Sequence, residues 1–487
     1  MSSAPRQPDA TTDRAPGFTR RSVLRMGAGA AGSLLLPIGL GAGSGCSPAR
    51  APNILLILAD DLGLECLGAY GGTTFTTPHL DQLAHGGMRF SNVFATPACA
   101  PSRAEILTGR YPFRTGWIDN AGPLSPPRLS TSEPTFARTL KSAGYATAMA
   151  GKWQLGSLVE YPLMPQESGF DESCLWSLQR VDGILRPTPD NSRYFEPRFW
   201  KNGRLLAVDA TSYGPEIEFS FLTDFIARNQ DRPFLAYHAM NLPHAPYHVP
   251  PGRQPPPAGT GTSREQLAAV YAMMIAYTDE LVGRYVAYLT QLGLDARTLV
   301  IFSSDNGGNE HFVVDLDGRE IQGGKFTLGE SGSNVPFLAW QPGHVAAGAV
   351  CDDLVDFTDV LPTFAALGRA TLPDGVRLDG KSFRGPLLAE GPSERTWIYT
   401  QLGYQGFIRN RHWRLATDGH LFRVKGTYSD EPADPRASTE ARAAYDELRS
   451  ALLDLVGDET KRVKLAPELR RGEGIAPAPA PDADRRS

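Results

Sequence analysis

Cysteine is scarce in this chain: five residues in 487, at positions 46, 66, 99, 174 and 351, are too few and too far apart for a disulfide framework. Their odd number and wide spacing also fit no paired zinc pattern, so each needs an individual explanation. An excess of charge is missing as well. The 48 lysines and arginines stand against 53 aspartates and glutamates, a formal net charge of −5, and nowhere mass into a stretch that could track phosphates. The composition therefore argues against a nucleic-acid partner. No run beyond the first fifty residues approaches the ~20 apolar residues of a spanning helix, so the body of the chain reads as soluble. There is no internal repeat.

What is present is an ordinary globular composition, 41% hydrophobic and 21% charged, in a chain long enough for a large core. Residues 1–50 read as a targeting segment rather than part of the fold. Thr19-Arg20-Arg21-Ser22-Val23-Leu24-Arg25 resembles a twin-arginine export signal, and a weakly apolar, glycine-rich run from Met26 to Gly45 follows it. Cys46 ends that run in Gly-Ser-Gly-Cys, a candidate site for a lipid anchor, although Gly43 stands where such sites prefer leucine. The expectation is export to the periplasm or cell envelope, with anchoring at Cys46 left open.

Asn53-Ile54-Leu55-Leu56-Ile57-Leu58-Ala59 is a continuous apolar run that ends in Asp60-Asp61, the pattern of a strand buried on both faces with polar groups at its carboxyl end. Thr298 to Ser304 repeats the pattern and ends in Asp305-Asn306-Gly307-Gly308, while Pro233 to Tyr237 leads to Pro243-His244-Ala245-Pro246. Helix-like stretches, Glu133 to Ala143 and Arg264 to Leu292, lie between. Such alternation predicts an α/β fold, a large central mixed, mostly parallel sheet flanked by helices, with ligands gathered at the strands' carboxyl ends. After Asp379-Gly380-Lys381-Ser382 the chain turns to short strand-like pieces, Trp397 to Gln401, Gly406 to Arg409 and Trp413 to Ala416, and then a helix from Ser438 to Leu455. The resulting division is a catalytic domain over 51–385, a smaller C-terminal α+β subdomain over 386–465, and an Ala/Pro-biased tail over 466–487.

Cys99-Ala100-Pro101-Ser102-Arg103-Ala104-Glu105-Ile106-Leu107-Thr108-Gly109-Arg110 is the most informative segment, because it matches C-x-P-S-R-x-x-x-L-T-G without a departure. On this signature the chain resembles the formylglycine-dependent sulfatases of the alkaline-phosphatase superfamily, and further motifs carry the resemblance from about Asn53 to beyond Lys381. It implies a sulfuric ester hydrolase in which a separate formylglycine-generating enzyme oxidises Cys99 to an aldehyde. A hydrated aldehyde offers two hydroxyls on one carbon. One attacks sulfur and ionisation of the other expels sulfate, which divides one hard hydrolysis into two easier steps.

The resemblance also implies ligands and roles. Asp60, Asp61, Asp305 and Asn306, together with position 99, are the expected ligands of one divalent metal. The four named side chains are hard oxygen donors, which suits calcium first and magnesium second. Arg103 is expected to steady the formylglycine. Lys152, in Gly151-Lys152-Trp153-Gln154-Leu155-Gly156, and Lys325, in Gly323-Gly324-Lys325, are expected to hold sulfate oxygens, and His244 to protonate the departing alcohol.

One position departs from the family pattern. Gln154 stands where the motif has the histidine that serves as base for the second hydroxyl, and a neutral amide can hydrogen-bond that hydroxyl but not take its proton. His238, His79 and His85 are alternative bases only if folding brings them to Cys99; a structural role is the expectation for each. The preferred function is hydrolysis of a carbohydrate, aryl or alkyl sulfate. Two alternatives are a formylglycine-dependent phosphodiesterase or phosphonate monoester hydrolase, and a sulfatase-derived binding protein whose turnover Gln154 impairs. The segments from Leu175 to Pro197 and Gln254 to Thr262 carry no readable code for the alcohol.

Overall fold

The computed structural model describes residues 50–120, 122, 124–188, 192–256, 262–459 and 461–475, and the twin-arginine segment and Cys46 lie outside them. From Arg50 onward the described residues form one compact unit. Its centre is a ten-stranded sheet. In chain order the strands are β1 (Asn53–Ala59), β2 (Met88–Phe94), β3 (Ala146–Trp153), β4 (Glu172–Ser177), β5 (Phe199–Lys201), β6 (Arg204–Leu205), β7 (Phe234–Ala239), β8 (Thr298–Ser304), β9 (Phe337–Trp340) and β10 (Ala349–Asp356). Across the sheet they run β10-β2-β9-β8-β1-β7-β3-β4-β5-β6. The middle run, β8-β1-β7-β3-β4, is parallel throughout, and antiparallel pairings appear only towards the two sides. This is the mixed, mostly parallel α/β sheet expected from the sequence.

Every residue of β1, β3, β7 and β8 is buried, which is why β1, β7 and β8 read as apolar runs instead of alternating ones. Helices cover both faces. Phe234 and Tyr237 lie three apart on β7 and so point to opposite sides of the sheet. Phe225, from a helix over Gly214–Arg228, meets Phe234 edge-on at 6.3 Å, and Phe136 meets Tyr237 at 5.6 Å. The long helix over Ser263–Gln291 starts at a capping box in which Thr262 and Glu265 satisfy each other's backbone donors. The shorter one starts later than its sequence suggests, at Phe136, because Thr135 stays extended and its side chain accepts the Arg138 N–H as the cap.

A separate antiparallel sheet closes the chain: β11 (Ile398–Leu402), β12 (Gln405–Arg409), β13 (Trp413–Ala416), β14 (Leu421–Gly426) and β15 (Ser429–Ala433). A helix over Thr439–Val456, capped by Ser438, lays Tyr445, Leu448 and Leu452 against it. Side-chain hydrogen bonds tie this part of the chain to the rest. The Tyr428 hydroxyl, on the turn between β14 and β15, donates to Glu65 at 2.8 Å. Arg395 donates to Asp359, Thr358 and the Asp379 carbonyl.

Ordered structure also continues past residue 465, where the sequence pattern ends the folded part. Ala466 N–H bonds to the Thr417 carbonyl, a short helix spans Pro467–Arg471, and Leu469 is fully buried in the C-terminal core. The Ala/Pro bias that suggests a tail belongs to residues from 476 on, which lie outside the described range. Among the described residues no helix is long and apolar enough to cross a membrane.

Candidate active site

The carboxyl ends of β1 and β8 lie side by side, joined by a bond from Asp305 N–H to the Ala59 carbonyl, and this sets Asp60, Asp61, Asp305 and Asn306 together. Asp61 adopts a left-handed backbone, φ 68°, an uncommon conformation for a residue other than glycine. Its N–H donates to Asp305 Oδ1 at 3.1 Å and its carbonyl accepts the Tyr271 hydroxyl at 3.1 Å, contacts that hold the strained conformation in place. All four residues are buried.

Cys99 is the first residue of a buried helix over Cys99–Thr108 that Gly109 ends in the left-handed conformation, φ 68°. Its Sγ lies 3.4 Å from Asp60 Oδ1 and 3.7 Å from Asp61 Oδ1. One turn on, Arg103 reaches Asp305 Oδ2 through Nε at 2.9 Å and Nη2 at 2.7 Å. Lys152, at the end of β3, grips Asp60 through both oxygens at 2.9 and 2.8 Å, and Lys325 meets Asp61 Oδ2 at 2.6 Å. His244 presents Nε2 to Asp61 Oδ2 at 3.5 Å, while its Nδ1 lies 2.6 Å from the Ala245 carbonyl. Gln154 donates its amide to Asn120 Oδ1 at 2.9 Å. Asp60, Asp61, Cys99, Arg103, Lys152, His244, Asp305, Asn306 and Lys325 thus fall in one cluster, and Gln154 joins it through Asn120.

The electrostatics follow from this crowding. Burial opposes ionisation of Asp60, but Lys152, then His244 and Arg103, override it and hold the carboxyl well below its ordinary value. Asp61 is lowered against burial chiefly by Lys325. Asp305 is pushed up to about 6 by burial and by the charge of Asp60, with Arg103 opposing. Burial brings His244 down to about 4 against the pull of Asp60 and Asp61, so the ring is neutral near pH 7. Burial, with Asp305 adding to it, raises the Cys99 thiol well above its usual range, so the unmodified side chain is a poor nucleophile here.

The donor set fits a hard divalent cation. Asn306 spends its amide hydrogens on Asp61 Oδ1 and the Gly307 carbonyl, which leaves its buried Oδ1 without a partner beside carboxylates. Lys152 and Lys325 meanwhile occupy the carboxylates as substitute cations. Donor atoms of Asp60, Asp61, Cys99 and His244 all lie within 4.8 Å of one another. Asp305 is not in that tight group, and Arg103 and the Asp61 N–H engage its two oxygens.

None of the alternative histidines reaches the cluster through its ring. His238, fully buried, contacts Glu218 at 2.9 Å and Tyr285 at 3.1 Å with its two nitrogens. His85 bonds the Asp81 carbonyl, and His79 packs on Gly283 of the long helix. Sequence reasoning missed two residues that do take part. Asn120 receives both Gln154 and the Ala100 N–H. Arg193 places Nη1 3.8 Å from Asp60 Oδ2 and 3.3 Å from His244 Nδ1. Neither sits in a recognisable motif, and folding alone brings them in.

A family model described as Sulfatase matches residues 52–370, and the chain belongs to that family. It is a sulfuric ester hydrolase. Human arylsulfatase A is 35% identical over 432 residues, covering 84% of this chain and 81% of the human protein. N-acetylgalactosamine-6-sulfatase of Sus scrofa is 33% identical, covering 72% and 68%. Among solved structures, Ps i-CgsB in complex with k-i-k-neocarrahexaose superposes with a TM-score of 0.69 at 24% identity, over 87% of this chain and 96% of that one. The phosphonate monoester hydrolase of Silicibacter pomeroyi superposes with a TM-score of 0.58 at 19% identity, over 85% and 96%. These two likenesses show the shared fold.

Proposed function

We propose that this enzyme hydrolyses the sulfate ester of a sugar or other alcohol with Cys99, matured to formylglycine, as the nucleophilic position, and with one divalent cation, calcium in preference to magnesium, held by Asp60, Asp61, Asp305 and Asn306. The observation that carries the reading is the position of Cys99 Sγ, 3.4 and 3.7 Å from two carboxylates and ringed by Arg103, Lys152 and Lys325. Relatives named for arylsulfate and N-acetylgalactosamine-6-sulfate chemistry support the substrate class. The cation, when bound, supplies charge that acidifies an attacking hydroxyl and screens the carboxylates. Formylglycine supplies the paired hydroxyls that a cysteine or serine lacks.

The chain's own residues do the rest. Arg103 fixes Asp305 from the nucleophile's own helix, so helix and β8 keep one register. Lys152 and Lys325 hold ammonium groups on Asp60 and Asp61 beside Cys99, where they would take up anionic oxygens of the ester. His244 points Nε2 at the same place. Its Nδ1 lies against the Ala245 carbonyl, so protonating a leaving oxygen requires the charged ring, a form that an approaching anion favours. Gln154 offers a hydrogen bond and no base. Maturation by a formylglycine-generating enzyme and export through Arg20 and Arg21 belong to the same proposal, supported by the signature and by the leader.

Peptide mass analysis tests the central claim: position 99 is expected as formylglycine, and Cys99→Ala is expected to lose turnover while keeping its unfolding transition. An active preparation with an unmodified, dispensable Cys99 would overturn it. Parallel assays with 4-nitrophenyl sulfate and a phenylphosphonate ester separate sulfur from phosphorus chemistry.

A further inference from the structure

We propose that Arg193 reads a second negative charge on the substrate, so that the preferred ester is a sulfate whose alcohol carries another anionic group, such as a second sulfate or a carboxylate. The inference rests on the sulfatase reading above and deepens it.

Arg193 lies in the connection between β4 and β5, outside every motif of the signature type, yet it is 7% exposed and reaches the heart of the site. Its guanidinium stacks 4.1 Å from the centre of the Trp176 ring, a residue of β4 itself. The backbone behind it cannot drift. Gly214 N–H bonds the Tyr194 carbonyl at 2.6 Å, the Tyr194 hydroxyl donates to the Asn241 carbonyl at 2.7 Å, and a Cβ on Gly214 would stand 2.1 Å from the Arg193 carbonyl oxygen. A long cationic side chain is therefore held in one orientation, as recognition of a fixed anion requires.

The resident carboxylates do not explain it. Asp60 Oδ2 is 3.8 Å away, beyond hydrogen-bond reach, and Lys152 already grips both Asp60 oxygens. The neighbouring His244 comes within 3.3 Å through Nδ1, a nitrogen that already lies against the Ala245 carbonyl. Formal charge makes the same point. Arg103, Lys152, Lys325 and Arg193 face Asp60, Asp61 and Asp305, and a divalent cation widens the positive excess. A sulfate monoester and one ionised nucleophile return two negative charges and leave a single positive charge unmatched. Arg193 is the cation that the motif residues do not need. Buried without a matching anion it carries a desolvation penalty, which a second substrate anion removes.

The test compares matched pairs of sugar sulfates, each a monosulfate and its counterpart with an added sulfate or carboxylate, on the matured wild type, Arg193→Gln and Arg193→Lys. At least one doubly charged ester is expected to exceed its partner in kcat/KM by about 10- to 100-fold, the size of one charge-assisted hydrogen bond. Arg193→Gln is expected to bring the pair within about threefold of each other, with Arg193→Lys in between. Calorimetric affinities of the same pairs for the unmodified Cys99 protein, in calcium, are expected to show the same ordering without any turnover. Absence of all sulfate hydrolysis by the wild type would count against the parent reading, and the calorimetry still decides this one. Equal losses on both members of each pair in Arg193→Gln would overturn the proposal, because Arg193 would then serve the transferred sulfate. So would a preference for 4-nitrophenyl phosphate over 4-nitrophenyl sulfate that Arg193→Gln abolishes, since the extra charge would then lie on the transferred group.

Discussion

Gln154 and Asn120 lock each other's amides in one orientation. Asn120 Oδ1 accepts the Ala100 N–H at 3.1 Å, so the atom facing that donor is the oxygen, and Gln154 must turn its NH2 to the same atom at 2.9 Å. The carbonyl end of Gln154 is left buried and without a partner, on the side chain that Asn120 links to the helix beginning at Cys99. A buried acceptor of this kind calls for a hydroxyl or amide donor when substrate or the matured nucleophile is in place.

If that acceptor replaces a base, release of sulfate is the slow half of the cycle. Wild-type enzyme is then expected to release a chromogenic alcohol in a burst followed by a slow phase. Gln154→His is expected to speed the slow phase by up to ~10²–10⁴-fold, the range for a well-placed general base. Rapid-mixing absorbance on both forms checks this; no burst in the wild type together with no gain in the variant would sink it.

Cation binding has a readout that needs no chemistry. Calcium is expected to raise the Tm of the unmodified Cys99 protein over its value in EDTA, because ligand binding adds about 2.7 kcal/mol at a hundredfold excess over Kd. Asn306→Ala and Asp60→Asn are expected to weaken the calcium affinity measured by calorimetry. An unchanged Tm and affinity in both variants would show that the cation sits elsewhere.

Glu65 gives stability a pH dependence of its own. Burial pushes its carboxyl up to about 7 from an ordinary 4.5, although its own backbone and the Tyr428 hydroxyl act the other way. Because the folded value is the higher, the contribution is full below about pH 4.5 and is lost as pH rises to 7, about 3 kcal/mol in all. Glu65→Gln is therefore expected to gain Tm over wild type at pH 8 and to lose that advantage at pH 4.5. Parallel melting curves across this range would contradict it.

Arg395 is buried among Asp359, Thr358, Tyr111 and the carbonyls of Trp397 and Asp379. Removing one partner of such a network leaves charge stranded in the interior. Arg395→Ala is expected to cost about 3–5 kcal/mol in urea unfolding, whereas breaking an exposed pair such as Arg442–Asp446 is expected to change little. Equal small effects would contradict the assignment.

What the chain reveals without its structure follows from how local each cause is. The strands ending at Asp60 and Asp305 are legible because burial on both faces leaves unbroken apolar runs, and their polar ends mark the site. Lys152 and Lys325 are legible only through motif resemblance, since nothing local says that two lysines flank one carboxylate pair. Arg193 and Asn120 are not legible at all, because their partners lie 133 and 34 residues away along the chain. The strands over Leu421–Gly426 and Ser429–Ala433 also escape notice. Their exposed residues, with Lys425 and Pro432 among them, make them poor strand formers that hold at the sheet's end through pairing.

The complete enclosure of Cys99, 0% exposed within a helix buried along its whole length, has a consequence in time as well as space. On the proposed reading, the enzyme that oxidises it cannot reach the thiol once the sheet has closed over it. Maturation must then run against the clock of folding, and the active fraction of a preparation records which of the two finished first. Slowing collapse around the nascent helix would enlarge that fraction, and a variant that folds faster would yield more inert protein, sound in structure and empty of activity.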